Sequence, residues 1–241
     1  MALTYIGQGS TSNGTTSTAP NYPNGITFGN KLLLGVVNKH SPNFPTTPSG
    51  WVLEYQLTGG TGSNAADSGT VIASLYSRTA TGTETSATTV TVTVGSGNST
   101  IGRIWAFNAS SNRFDTMASG GRDNTAGSNS WSITTLESMS IAASDLVFAL
   151  SAVNSDAFTF TSEACSLAGV TFGTMTEVSD SGTGNGNDSK LVGAIFSNIT
   201  GTGGSGTVTY TMSSSGNDVN SPAGATILLR IRELNRRVFV V

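Results

Sequence analysis

Histidine occurs once in this chain, at His40, and cysteine once, at Cys165. A single histidine removes most acid–base chemistry near neutral pH, because no other side chain titrates there without a strong perturbation. A Ser-His-Asp triad would have to use His40, inside His40-Ser41-Pro42-Asn43, and no Gly-x-Ser-x-Gly elbow accompanies it. One histidine and one cysteine do not make a zinc site. A lone cysteine closes no intrachain disulfide, so Cys165 reads as a small buried hydrophobe and the chain as one that folds in a reducing cytoplasm. Charge is scarce too: 10% of residues, against about 25% in an ordinary domain. Disorder pairs high charge with few apolar residues, whereas here 37% are apolar and sit in strand-length runs. The opening Met1-Ala2-Leu3-Thr4-Tyr5 has neither a basic start nor an apolar run of signal length, which points to synthesis in a cytoplasm without export. No run approaches the roughly 20 apolar residues of a membrane-spanning helix. Amphipathic helices of ten residues or more are absent, and only 137–144 could form a short helical turn.

What the chain has in abundance is serine, threonine and glycine, 34, 36 and 30 residues respectively. Threonine suits a half-exposed pleated surface, and glycine and serine suit tight turns. Thr89-Val90-Thr91-Val92-Thr93-Val94 alternates with a strict period of two, as does Val208-Thr209-Tyr210-Thr211-Met212. Ile227, Leu229 and Ile231 share one face of a further strand. Strands are also expected over 31–37, 51–57, 71–78, 101–107, 146–153, 171–178 and 191–197. Turn-rich tracts separate them, among them 58–69, 179–188 and 213–216. The class is therefore all-β: a jelly-roll-like antiparallel β-sandwich of roughly ten strands.

The two halves echo each other. Lys31-Leu32-Leu33-Leu34 answers Asp145-Leu146-Val147-Phe148, and Ser49-Gly50-Trp51 answers Ala168-Gly169-Val170. Leu75-Tyr76-Ser77 answers Ile195-Phe196-Ser197, the Thr-Val run 89–94 answers 207–212, and Arg103-Ile104-Trp105 answers Thr226-Ile227-Leu228. This fits either two small tandem sandwiches or one two-sheet sandwich built from similar halves. No Pro-rich or charged linker marks 120–130, which favours one domain over 20–232. Residues 1–19 are expected as an arm or a first strand and loop, and 233–241 as an extension.

Candidate chemistry is thin. Asp67, Asp115, Asp123, Asp156, Asp180 and Asp188 are scattered and read as turn formers rather than as a glycosidase pair. Gly201-Thr202-Gly203-Gly204-Ser205-Gly206 has the spelling of a dinucleotide loop, but a Thr-Val strand follows where a helix should, so it reads as a hairpin loop. The loop 180–188 offers the oxygens of Asp180 and Asp188 and is the one place with calcium-like chemistry; otherwise no cofactor is expected. Trp51, Trp105 and Tyr210 lie in strand patterns and read as core anchors. Trp131, inside Asn129-Ser130-Trp131-Ser132, is the aromatic expected at the surface, where it could touch a ligand or partner. The Asn-x-Ser/Thr triplets at Asn13, Asn98, Asn108, Asn187 and Asn198 arise readily in so hydroxyl-rich a chain.

The net charge of −3 hides an uneven distribution: 1–229 carries −6 and 230–241 carries +3. A nucleic-acid footprint needs a broad basic face, which this is not. Arg230, Arg232, Arg236 and Arg237 are suited to carboxylates on a partner protein, and Val238-Phe239-Val240-Val241 is suited to strand addition.

Gly25-Ile26-Thr27-Phe28-Gly29-Asn30-Lys31-Leu32-Leu33-Leu34 is similar to a "gly-x-x-x-gly-asp-leu-leu-leu" opening of structural proteins of tailed bacteriophages, with Asn30-Lys31 at the gly-asp position. Pro48-Ser49-Gly50-Trp51 resembles the family's "pro-x-gly-trp" turn into the next strand. The strand 71–78, Ser144-Asp145-Leu146-Val147 and the Gly-Asn-Asp loop at 186–188 continue the likeness across most of 1–232. The resemblance implies a non-enzymatic protein on the virion exterior, a capsid decoration (cement) or head-fibre accessory. Its expected partners are the major capsid protein or tail proteins and further copies of itself, a homotrimer suiting such sites. A tail receptor-binding module gripping host polysaccharide is the first rival, and a secreted carbohydrate-binding module the second. Neither nucleic acid nor membrane is an expected partner.

Overall fold

The computed structural model describes residues 3–39, 44–60, 69–94, 99–124, 130–155, 159–183, 189–215 and 223–234. It is all-β. The first half supplies β1 (Thr4–Gln8), β2 (Ser12–Gly14), β3 (Ser17–Thr18), β4 (Lys31–Lys39), β5 (Val52–Gly59), β6 (Val71–Thr79), β7 (Val92–Thr93) and β8 (Thr100–Asn108). The second supplies β9 (Phe114–Asp123), β10 (Ser130–Thr134), β11 (Met139–Ile141), β12 (Leu146–Val153), β13 (Thr159–Ser166) and β14 (Val170–Thr171). It continues with β15 (Met175–Gly182), β16 (Lys190–Phe196), β17 (Thr200–Gly201), β18 (Gly204–Gly206), β19 (Thr209–Ser215) and β20 (Gly224–Glu233). Where a helical turn was conceivable, over 137–144, the chain forms β11, because Met139 and Ile141 are needed as alternate core residues.

Each half builds its own main sheet. The orders are β1-β8-β4-β6-β5 and β9-β20-β12-β16-β15. Both place the five main strands of their half in the order first, fifth, second, fourth, third, and every pairing within these two orders is antiparallel. In the second half, β10-β19-β13 forms a second sheet, and β11 pairs with β18. Counting β9, β10, β12, β13, β15, β16, β19 and β20 as eight, first-last-third-sixth and second-seventh-fourth is jelly-roll pairing. The fifth, β15, stays on the main sheet beside the sixth. The chain is thus an antiparallel β-sandwich whose two main sheets hold ten strands, with jelly-roll-like pairing completed in the second half.

The main sheets stack face to face. Leu33, Val37, Leu75, Ile101, Trp105 and Phe107 of one meet Phe148, Leu150, Leu191, Ile195, Ile227 and Leu229 of the other in a single core. Trp105 and Phe148 lie 4.8 Å apart, centroid to centroid, at 56°. Room for the indole comes from Gly35 and Gly193: a Cβ on Gly35 would stand 2.8 Å from the Trp105 ring and one on Gly193 3.2 Å from it. The opposite faces are also covered. Tyr22, Trp51, Val90 and Val92 lie over Leu32, Leu34, Val36, Tyr76 and Ile104. Trp131, Ile133, Phe160, Tyr210 and Met212 lie over Val147, Ala149, Val192, Phe196 and Leu228. Four layers result. Because both faces of each main sheet are buried, β4, β6, β12, β16 and β20 are buried almost residue by residue instead of alternating.

The echo between halves is real, with its register corrected. Leu33, which faces the shared core, corresponds to Phe148, and Trp105 to Leu229. The alignment read from sequence placed Leu33 opposite Val147 and Trp105 opposite Leu228, both of which face the outer layer. A slip of one residue exchanges the two faces of a strand. The turns before β4 and β12 also match. Asn30 N donates to Thr27 O and Asp145 N to Ala142 O, each at 3.2 Å. Thr27 N donates to Asn30 Oδ1 at 2.7 Å and Ala142 N to Asp145 Oδ2 at 2.8 Å. The turns before β14 and before β5 match as well, with Gly50 and Gly169 both at φ 77°. Residues 4–18, expected as an arm or a first strand and loop, hold three paired strands, and Glu233 ends β20 rather than beginning an extension.

The matched turns differ at one position of positive φ: Gly29 has φ 88°, and Ser144, its counterpart, has φ 71°. A side chain there costs about 1–2 kcal/mol. Ser144→Gly is expected to stabilise the protein by about 1 kcal/mol in urea denaturation. The reverse change, Gly29→Ser, is expected to destabilise it, because its Cβ would also sit 2.6 Å from Asn112 Cγ.

Candidate functional site

The residues singled out from sequence fall into three groups. His40, Asp67, Asp156, Asp188, Arg236, Arg237, Val238, Phe239, Val240 and Val241 lie outside the described residues, as do Asn98 and Asn187. A second group is committed to internal contacts. Arg230 is buried on β20, ion-paired with Asp115 and donating to Ser140 O at 3.3 Å. Arg232 holds Asp145 through two hydrogen bonds of 2.7 Å. These two arginines therefore fasten β20 to β9 and to the turn before β12, and are not free contacts for a partner. Asn30 and Asn108 occupy the matching places in the first half, and Asn30 Nδ2 donates a hydrogen bond to Asn108 Oδ1 at 3.1 Å. The pairing of Arg232 with Asp145 raises the guanidinium pKa, the hydrogen bonds being the main cause.

Trp131 is the clearest correction. It is 1% exposed and packs edge-on to Phe160, 6.3 Å between centroids at 88°. Its neighbours in sequence are polar, but Trp131 and Ile133 alternate with Ser130, Ser132 and Thr134, so β10 turns both apolar side chains inward. All three tryptophans of the chain are buried. Asp180, half of the calcium candidate, is ion-paired with Lys190 at 2.6 Å and accepts Phe160 N at 3.2 Å. Among the described residues no group of three acidic, His or Cys side chains is arranged to hold a metal. The glycine-rich 201–206 forms β17, a bend and β18. Cys165 packs beside the outer core of the second half, and burial pushes its thiol pKa well up.

Sequence reading missed two features. The first is a buried carboxylate at the β13–β15 junction. β13 carries an irregularity between Thr161 and Ala164, with Ser162 at φ 59°. It turns Glu163 inward, 4% exposed, where neither carboxylate oxygen has a hydrogen-bond partner among the described residues. Desolvation raises the Glu163 pKa, and the Asp180 charge adds to the rise. The Glu177 pKa is raised as well, by desolvation first and then by Glu163 and Asp180, with Lys190 opposing. An isolated Glu in a run of small polar residues gives no sequence signal of burial.

The second is an exposed apolar corner. Val52 is 62% and Leu53 42% exposed at the start of β5, the edge strand of the first main sheet. The ladder shifts register between Leu53 and Tyr55, so Val52 and Leu53 do not alternate in and out as a regular edge would. The signal was present as two adjacent apolar residues after a buried Trp51. Phe28, at the tip of the turn before β4, is 73% exposed, and Phe44 and Leu234 also show large apolar surface. Glu54, next on β5, faces inward: it accepts hydrogen bonds from Lys31 at 3.4 Å and from Thr116 at 3.1 Å, and also from Ser77. A groove of about 350 Å³ opens at the opposite side, between Leu3, Tyr5, Thr176 and Ile195. Its polar side chains Ser197 and Asn198 are bonded to Thr174.

No protein-family model, no curated protein and no solved structure matches this chain.

A carboxylate whose folded pKa is raised stabilises least when ionised. Its penalty is absent below the ordinary Glu value, about 4.3, and grows as pH rises through the higher folded value. Glu163→Gln is therefore expected to raise the melting temperature at pH 8, with the gain shrinking towards zero near pH 4. Thermal scans of both proteins across that range check the sign.

Proposed function

We propose that this protein is a non-catalytic structural component of an assembled particle, and specifically an accessory protein on the exterior of a tailed-phage virion. The observation that carries the first part is the pair of adjacent exposed apolar side chains, Val52 and Leu53, at the start of the edge strand β5. Large apolar side chains grouped on a hydroxyl-rich, weakly charged surface mark a site of protein–protein contact. The packed sandwich supplies the platform that presents them. The second part rests on the resemblance of 25–34 and 48–51 to phage structural proteins. The structure gives those stretches a role in the fold: one is the turn into β4, and the other is the turn into β5 that ends beside the exposed corner. Head decoration is the favoured place. Trp131, the aromatic expected at the surface, is a core residue and so offers no stacking face to a glycan.

Co-sedimentation of the purified protein with emptied phage heads and, separately, with tails tests the reading. The full chain is expected to pellet with heads, and Val52→Lys/Leu53→Lys to lose at least tenfold in bound fraction at equal concentration. Pelleting with tails alone would move the assignment to a fibre or receptor-binding protein. Pelleting with neither would reject the virion reading.

A further inference from the structure

We propose that the open edge of β5 is the acceptor for a strand supplied by a second copy of this chain, the donated segment being Val238–Val241. This goes beyond attachment to a particle: it makes the protein self-assembling on its own.

The acceptor lacks the guards that the edges of the second main sheet carry. β5 bonds β6 on one side and has no strand on the other among the described residues. Exposed edges are ordinarily guarded by charge, proline or a very short strand. Glu177 guards the outer edge of β15 and Arg122 that of β9, both exposed. The one charged residue of β5, Glu54, is turned in to Lys31, Ser77 and Thr116, so its charge does not protect the edge. What β5 shows outward at its start is Val52 and Leu53.

The donor leaves the body at the same corner. β20 ends at Glu233 opposite Phe114, and Leu234 N donates to Arg113 O at 3.0 Å. Two residues along β9 from Phe114, Thr116 bonds Glu54 of β5. Seven residues follow Leu234, Asn235-Arg236-Arg237-Val238-Phe239-Val240-Val241. Four strand-forming residues after two arginines suit addition to an apolar edge on a body that carries −6 over 1–229. Reach decides whose edge is taken. From Leu234 to the vacant position beside the same chain's β5 is one sheet spacing and up to two strand spacings, roughly 13 Å. The four residue steps from Leu234 to Val238 span about 14 Å at full extension. They would also have to reverse the chain, and no length remains for that. A second copy accepts the segment without a reversal.

The test uses the full chain, a version ending at Leu234, and Val52→Lys/Leu53→Lys, compared by sedimentation velocity at matched concentration. The peptide Asn-Arg-Arg-Val-Phe-Val-Val is the probe for the free edge. The full chain is expected to be oligomeric and both variants monomeric. The peptide is expected to bind the truncated protein, and to bind the truncated protein carrying the two lysines at least tenfold more weakly. Circular dichroism and the melting temperature confirm that the variants are folded. If the lysine variant is unfolded, Leu53→Thr with the peptide assay replaces it and carries the same expectation. A monomeric full chain, an oligomer that survives truncation, or peptide binding indifferent to Val52 and Leu53 would each overturn the proposal. These results do not depend on whether the protein pellets with phage heads.

Discussion

Each main sheet of this protein is apolar on both faces, and neither face can be left in water. The inner faces are satisfied by each other, around Trp105 and Phe148. The outer faces need covers, and each half of the chain provides its own from the segments between its main strands. From this constraint come the four layers, the near-continuous burial of five strands, and the need for Gly35 and Gly193 on either side of one indole. Burial on the order of 25 cal/mol per Å² of apolar surface makes this the dominant favourable contribution. With five ion pairs among the described residues and a single cysteine in the chain, apolar burial outweighs charge and cross-links as a source of stability.

The two halves solve the same problem with the same plan but different chemistry. The turn into the second main strand is tied by an amide pair, Asn30 with Asn108, in one half. In the other it is tied by an ion pair, Asp145 with Arg232. The covers differ more. The second half carries a three-stranded sheet, whereas the first uses the short β3–β7 pair and extended chain. The thinner cover leaves β5 nearer the surface, and that is where Val52 and Leu53 lie. The proposed contact surface is thus a by-product of unequal covering on two equal sheets.

Much of the fold was legible. The alternation in 208–212 and 227–231 marked strands, as did Leu32-Leu33-Leu34, whereas the Thr-Val run 89–94 keeps only the short β7, Val92–Thr93. The echo between halves was legible as an order of strands but not to the residue, since side-chain direction reverses with every step along a strand. Strands such as β9 and β13 were missed because their sequences, Phe114–Asp123 and Thr159–Ser166, are mixed and polar. They are held by their neighbours rather than by their own pattern. At the candidate surface, Arg230 and Arg232 looked available because their partners, Asp115 and Asp145, lie 115 and 87 residues away. Trp131 looked exposed because its immediate neighbours are polar.

By itself, the sequence determined the structural class and the chemical inventory. Period-two patterning and the abundance of threonine, serine and glycine allow strands and turns and little else. One histidine and one cysteine limit what any site could contain. Only the tertiary structure decided which face of each strand is inward, which charges are already paired, that Glu163 is buried, and that Val52 and Leu53 are not. Those are outcomes of pairing between residues far apart in the chain, and local patterning carries no information about which distant strand arrives to cover a given side chain.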